Sequence, residues 1–354
     1  MKKTSTTTTA KTLRLAIVGF GNVGQAVARC LTDATQRIGA ELVLVAISDP
    51  RFGTVFSPPG EHLDVMAALA AAEAGTFSAL AGYKQETDTL SMIEAVDADV
   101  LVELSFTDVS TGQPARSHIE AALSRGIHVS TTNKGPIALD LHDLQSLAKQ
   151  NEVTIGFEGT VMSGTPAIAI ALNTARVAGF RQARGILNGT TNYILTRMQE
   201  GLDFGTALAE AQDLGYAEAD PTGDVDGHDV AAKLVILARV LTDTTVPISA
   251  VSATSLRSVT PEMVADAAAA GDRWRYVATL DTNDDEVCAT VRPERVTSDD
   301  PLWAVSGATN ALTFDTEALG SVTVSGPGAG RSETAAAVLS DLAKLVNGFG
   351  VMGA

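Results

Sequence analysis

Cysteine is nearly absent from this chain, which carries only Cys30 and Cys288. The two lie far apart in sequence and form no metal-ligand spacing. There is no disulfide framework to read, and the expected compartment is a reducing cytoplasm. No apolar run reaches the ~18 residues that cross a bilayer. The Lys2-Lys3 start lacks the apolar stretch of a signal peptide. Positive charge is short as well: Lys and Arg total 25 against 42 Asp and Glu, a net charge of −17. Arginine carries most of that positive charge. A phosphate backbone demands a basic surface, so nucleic acid is not an expected partner. Anionic membranes are disfavoured by the same charge.

Two readings of the acidity stay open. One is an ordinary soluble acidic enzyme. The other is adaptation to a high-salt cytoplasm, where screening removes the self-repulsion. Under the second reading the thermal midpoint rises between low salt and molar KCl. A midpoint that falls steadily with salt removes it.

What is present is size and apolar material. A chain of 354 residues suffices for two or three domains with a full core. Its 45% apolar content excludes a largely disordered chain. Residues 1–11, mostly Thr and Lys, read as a disordered lead-in. Leu13–Val18, Glu41–Ile47, Ala98–Leu104 and Ile127–Thr131 read as buried strands. Helical stretches follow the first of them to about Ala34, then Ile119–Ser124 and Asp140–Gln150. Phe52–Gly82, with Pro58-Pro59 and the Ala-rich Val65–Ala74, reads as a loop and helix inserted after the second strand. Strands alternating with helices predict a parallel, doubly wound sheet over residues 12–150.

From about Asn151 the texture changes. Val153–Phe157 and Gln182–Leu187 read as strands flanking a helix at Pro166–Ala175. Helices are expected at Asn192–Gln199, Gly205–Leu214 and Asp226–Leu241, and β patterns at Glu286–Val291 and Ser321–Ser325. This predicts an α+β domain over 151–327. A last helix, Ser332–Val346, lies in residues 328–354. There is no internal repeat.

Gly19-Phe20-Gly21-Asn22-Val23-Gly24 follows the first strand and opens a helix, the context of a Rossmann-type dinucleotide fingerprint. The first glycine allows the tight turn, the second admits the pyrophosphate, and the third lets the helix pack on the sheet. The phosphates would sit at the helix N-terminus, where amides and dipole favour anions. A Gly-rich turn that binds nothing is the alternative. Asp49 stands where a ribose-binding acid belongs, which favours NAD. Arg51 could hold a 2′-phosphate, which favours NADP. A solvated Ser-Asp-Pro-Arg turn also accounts for both. Lys134, after the fourth strand, lies where ligands bind in open α/β sheets, though a surface turn explains it equally.

The densest motif is Gly215-Tyr-Ala-Glu-Ala-Asp-Pro-Thr-Gly-Asp-Val-Asp-Gly-His-Asp-Val-Ala-Ala-Lys233. Its five carboxylates would repel one another unless something positive sits among them. Asp229 and Lys233, at i and i+4, share a helical face. Asp226 capping the helix, with Asp229 and Lys233 merely paired, is the plainer reading. His228 has no second His or Cys at ligand spacing and reads as structural. Phe157–Pro166 and Gly185–Tyr193 place small and hydroxyl residues between a strand and a helix, where backbone groups can meet a ligand. Cofactor fingerprint and charged pocket together suggest an oxidoreductase acting on a small, charged amino acid.

In this order, these segments resemble homoserine dehydrogenase. The resemblance rests on Gly19–Gly24, Thr132–Pro136, Glu158–Pro166, Gly185–Tyr193, Gly215–Lys233 and Gly326-Pro-Gly-Ala-Gly330, spread over nearly the whole chain. It implies a short form without an appended regulatory domain, and a cytoplasmic homodimer. It implies a nucleotide domain to which the last helix returns, and a middle domain that binds substrate and dimerises. The implied activity is NAD(P)-dependent interconversion of L-homoserine and L-aspartate 4-semialdehyde, on the route to threonine, methionine and isoleucine. Lys233 would be the acid/base lysine and Asp229 its partner. Lys134 would stand near the nicotinamide and the reacting oxygen, and Gly330 near the cofactor. Glu218, Asp224 and Thr191 would contact substrate, the two acids through its amino group. Glu158, Val161, Ser163 and Thr165 match a loop that holds sodium in some relatives, partly through carbonyl oxygens. Gly223 falls where some relatives carry another acid. Another amino-acid or sugar-type dehydrogenase, or a non-enzymatic NAD(P) sensor, are the competing readings.

Overall fold

The computed structural model describes residues 11–83, 88–283 and 286–348. Six strands form the first sheet: β1 (Lys11–Val18), β2 (Ala40–Asp49), β3 (Gly53–Phe56), β4 (Val100–Glu103), β5 (His128–Thr131) and β6 (Ile155–Gly156). Their order is β3-β2-β1-β4-β5-β6. All neighbours are parallel except β3, which runs antiparallel to β2. Leu15, Ala16 and Ile17 are fully buried in succession. Such a run, rather than an alternating one, is what a strand covered on both faces requires.

Helices Asn22–Ile38 and Arg331–Asn347 pack on one face. Val27, Leu31, Ala335, Val338 and Leu342 join one apolar cluster with Leu15, Ile17, Val100 and Val102. Helices Ala115–Ser124 and Lys134–Gln150 cover the other face, through Ile119, Leu123, Ile137 and Leu144.

Four expectations change here. Lys11 opens β1 instead of closing the lead-in; residues 1–10 lie outside the described residues. The insertion after β2 also contains β3, because the Asp49-Pro50-Arg51-Phe52 turn folds the chain back on itself. Phe52 N–H bonds the Asp49 carbonyl, and proline at the second position suits such a turn. Within Val153–Phe157, Ile155–Gly156 pairs with β5, so the first sheet extends past residue 150. The helix expected from Asp140 begins at Lys134. It is kinked at Asp140 (φ −132°), which breaks the apolar periodicity that marks a single helix.

The second sheet contains β7 (Phe180–Ile186), β8 (Ser252–Ala253), β9 (Arg273–Asn283), β10 (Glu286–Val296), β11 (Thr309–Thr316) and β12 (Gly320–Pro327), in the order β12-β11-β7-β9-β10-β8. It is antiparallel apart from β8 with β10. Helices Gly189–Gln199 and His228–Thr242 pack over it. The second of these is buried almost throughout, from Val230 to Leu241. Among the described residues no helix is long and apolar enough to cross a membrane.

The strand order reverses between β1 and β4, which opens a crevice at their carboxyl ends. Glycine is required there. A Cβ on Gly19, whose φ is +86°, would stand 2.4 Å from the Leu104 carbonyl oxygen. The turn after β1 thus lies directly on the end of β4.

Candidate active site

The cofactor end of the crevice is built from backbone. Gly21 is the N-cap of helix Asn22–Ile38, and no side-chain hydrogen bond caps that helix. Its first-turn amides therefore face the crevice as anion donors. A Cβ on Gly24 would stand 2.2 Å from the Gly19 carbonyl oxygen, so only glycine lets this helix start so close to β1. Phe20 N–H donates to Asp49 Oδ2 at 2.8 Å, joining the loop to the end of β2. Gln25 Nε2 donates back to the Phe20 carbonyl. Val23 is half-buried. This cradle fits a dinucleotide diphosphate.

Asp49 and Arg51 are not independent. The Arg51 guanidinium grips both Asp49 oxygens, at 3.0 and 3.1 Å, and its backbone N–H adds a third bond. Burial works against the charged Asp49 carboxyl, but the bonds from Arg51 and Phe20 prevail and hold it below its ordinary value. Arg51 lies over the Phe52 ring at 4.7 Å and next to Gly21. The carboxylate and the guanidinium are thereby locked into one unit at the end of β2.

Across the crevice the structure gathers Lys134, Asp229 and Lys233. Asp229 Oδ2 is 2.6 Å from Lys233 Nζ, and Oδ1 is 3.6 Å from Lys134 Nζ. Lys233 is 7% exposed and donates a second bond to the Leu187 carbonyl at 2.6 Å. Burial would raise the Asp229 carboxyl. The opposed charges of Lys233 and Lys134, with their hydrogen bonds, instead hold it well below the usual carboxylate range. Asp229 is thus a fixed anion between two cations.

The acidic loop is dispersed rather than self-repelling. Asp226 does not cap the helix: Gly227, in the left-handed region, is the N-cap, and the Asp226 carboxylate accepts from Ser255 Oγ. Asp220 accepts from Thr222 N–H within its own turn. Asp224 accepts from Asn188 Nδ2 at 2.7 Å; burial raises its pKa, and neighbouring Asp229 adds to that. Glu218 is exposed, and its backbone carbonyl accepts from Gln212 Nε2. Thr191 is fully buried, with its N–H on Asn188 Oδ1 and its hydroxyl on the Asn188 carbonyl. That geometry makes it part of the helix start. Gly330 is the N-cap of the last helix, with φ +130°. Thr334 closes that turn onto its carbonyl.

The side chains of the sodium loop are engaged within the fold. Glu158 is 1% exposed, and both its oxygens are taken. Oε1 accepts the amides of Ile168 and Ala169, and Oε2 is 2.7 Å from Lys344 Nζ. The Thr165 carbonyl accepts from Ala167 N–H, and its hydroxyl donates to the Pro327 carbonyl. Ser163 Oγ pairs with Thr334 Oγ1. Val161 is fully buried. Among the described residues no group of three or more His, Cys, Asp or Glu could hold a metal.

Two further residues organise the site. Asn188 Nδ2 bridges Asp224 Oδ1 and Asp229 Oδ2, holding the two carboxylates apart, and its Oδ1 caps helix Gly189–Gln199. Asn133 caps helix Lys134–Gln150 and donates to the Ser105 and Phe106 carbonyls, fixing where Lys134 emerges. The signal for both was an Asn one residue ahead of a helix, an N-cap preference. It does not reveal that the amide's other end reaches the site.

Comparison with known proteins follows the same division. A family model described as the homoserine dehydrogenase NAD-binding domain matches residues 19–158, and one described as homoserine dehydrogenase matches residues 166–343. An NAD(+)-dependent homoserine dehydrogenase of Pseudomonas canavaninivorans is 42% identical over 93% of this chain and 95% of its own length. The homoserine dehydrogenase of Methanocaldococcus jannaschii is 39% identical over 94% and 98%. Among solved structures, a hyperthermophilic archaeal homoserine dehydrogenase in complex with NADPH superposes with a TM-score of 0.81 at 31% identity, over 94% of this chain and 97% of that one.

Proposed function

The chain belongs to the homoserine dehydrogenase family of NAD(P)-dependent oxidoreductases, and from that premise we propose how its own residues divide the reaction. Interconverting L-homoserine and L-aspartate 4-semialdehyde moves a hydride at C4 and a proton at the oxygen on the same carbon. The bound nicotinamide supplies the hydride chemistry. Lys233 takes the hydroxyl proton in the oxidative direction and returns it in reduction. Asp229 orients that amine and holds the positive charge as it forms. The Lys134 ammonium faces the same oxygen and stabilises its alkoxide character. Asp224 and Glu218 meet the substrate ammonium, whose charge also relieves the crowding of Asp224 by Asp229.

The observation that carries this reading is the two-sided grip on Asp229, at 2.6 Å by Lys233 and 3.6 Å by Lys134. Residues 12–158 would hold the dinucleotide, and the second sheet with its helices the substrate. The free state of Cys30 and Cys288 supports a reducing, cytoplasmic setting. β12, with no buried residue along its length, supports a second copy as the partner along that edge.

The test is NAD(P)+ reduction with L-homoserine against other amino alcohols. Activity confined to another amino alcohol would overturn the substrate. The same assay reads the adenosine end. Asp49→Ser releases Arg51 for a 2′-phosphate, so the ratio of catalytic efficiencies should move toward NADP by at least about tenfold. That is the scale of one hydrogen bond to a charged group. An unmoved ratio would remove Asp49 and Arg51 from the ribose.

A further inference from the structure

An ion cluster with two buried carboxylates lies beside β5 and β6. It joins three elements: the turn after β6, the end of β5 and the last helix. Lys344 Nζ is 2.7 Å from Glu158 Oε2 and 3.5 Å from Asp341 Oδ1. Both carboxylates are nearly inaccessible, at 1% and 4% exposure. Asp341 Oδ2 accepts from Ser130 Oγ, on β5. Glu158 Oε1 meets the opening amides of helix Ala167–Ile170, the start of the second domain. The space around the cluster is small and mostly apolar, lined by Ile155, Phe157, Ile168 and Leu172.

A carboxylate buried to this degree needs a cation or donors on every lone pair. In the loop's sodium-binding version an ion would meet that need at Glu158. Here a covalently attached ammonium does so, and the Ser163 and Thr165 hydroxyls and the Thr165 carbonyl are engaged within the fold. We propose that Lys344 is the resident cation of this site, standing in for an alkali metal ion, so that the protein binds no sodium at Glu158 and is indifferent to which monovalent cation surrounds it. The same ammonium ties the last helix to the first residues of the second domain. A metal would leave that link exchangeable; a lysine makes it permanent. The inference depends on the Glu158–Lys344 geometry alone and stands whatever the substrate proves to be.

The test uses the full-length protein and sodium itself. Its thermal midpoint should be the same in NaCl, KCl and choline chloride at equal ionic strength, and the 23Na resonance should show no saturable broadening. Saturable broadening at millimolar sodium that Glu158→Gln abolishes would overturn the proposal without any variant of Lys344. Lys344→Met should lose several degrees of thermal midpoint in choline chloride, because one partner of a buried pair is left bare. Sodium should restore part of that loss where choline does not, and Lys344→Arg should need no such rescue. A Lys344→Met protein as stable as the parent, or one that gains nothing from sodium, would overturn the equivalence of ammonium and ion.

Discussion

Lys233→Ala should lower turnover by at least about a hundredfold, the scale of a positioned acid/base group, with dinucleotide affinity nearly unchanged. The separation follows from the architecture. Lys233 is in the third residue pair of a helix belonging to the second domain, whereas the glycine loop belongs to the first sheet. Asp229→Asn should also slow the enzyme, because the neutral amide no longer sits as an anion between Lys134 and Lys233. The two losses should be strongly non-additive, as for residues acting as one unit. A helix-pairing role predicts otherwise: a lower thermal midpoint, near-normal turnover and additive effects. Steady-state kinetics with a midpoint for each variant decides between them. A folded, fast Lys233→Ala enzyme would sink the proton-transfer role and leave the dinucleotide assignment standing.

Gly19→Ala should give the opposite profile. Positive φ and the 2.4 Å approach to the Leu104 carbonyl act together there. Backbone strain of this kind costs roughly 1–3 kcal/mol, and the contact adds to it. The turn must shift, and with it the amides at the start of helix Asn22–Ile38. Dinucleotide affinity should fall by about a factor of ten to a hundred, while the Lys134–Asp229–Lys233 arrangement is untouched. Fluorescence titration with NADPH and turnover at saturating cofactor separate the two. Unchanged affinity in a folded Gly19→Ala protein would mean that this turn does not carry the diphosphate.

The parts of the fold that were legible in the sequence are those in which one physical demand acts alone. β1, β2, β4 and β5 are buried on both faces, so their apolar runs are uninterrupted. The glycine loop follows from sterics at Gly19 and Gly24. What escaped is where two demands conflict. β9 was not expected because its Arg-Trp-Arg-Tyr opening reads as polar surface. Yet Arg275 is fully buried: its guanidinium donates to the Leu302, Trp303 and Trp274 carbonyls, and burial brings its pKa down to about 10. β11 was missed although Ala311, Leu312 and Phe314 are buried, because it follows a stretch of turns with no flanking helix to frame it. In the site, helical spacing was enough to pair Asp229 with Lys233. Nothing local announces that Lys134, about a hundred residues earlier, closes on the same carboxylate, or that Asn188 bridges it to Asp224. The first contact exists only once two domains meet, and the second only once the second domain has folded.

The last helix has a consequence for how the protein is made. The first sheet is complete once residue 156 has left the ribosome, but one of its faces stays partly bare until Arg331–Asn347 arrives. Residues 157–330, which build the second sheet, are synthesised in between. At roughly 5–20 residues per second, that leaves part of an apolar face uncovered for on the order of ten seconds or more. The nascent chain must finish its second domain before it can seal its first. The vulnerable species on the way to this fold is therefore a chain that has made its second sheet but lacks helix Arg331–Asn347, and that is the form a chaperone would meet.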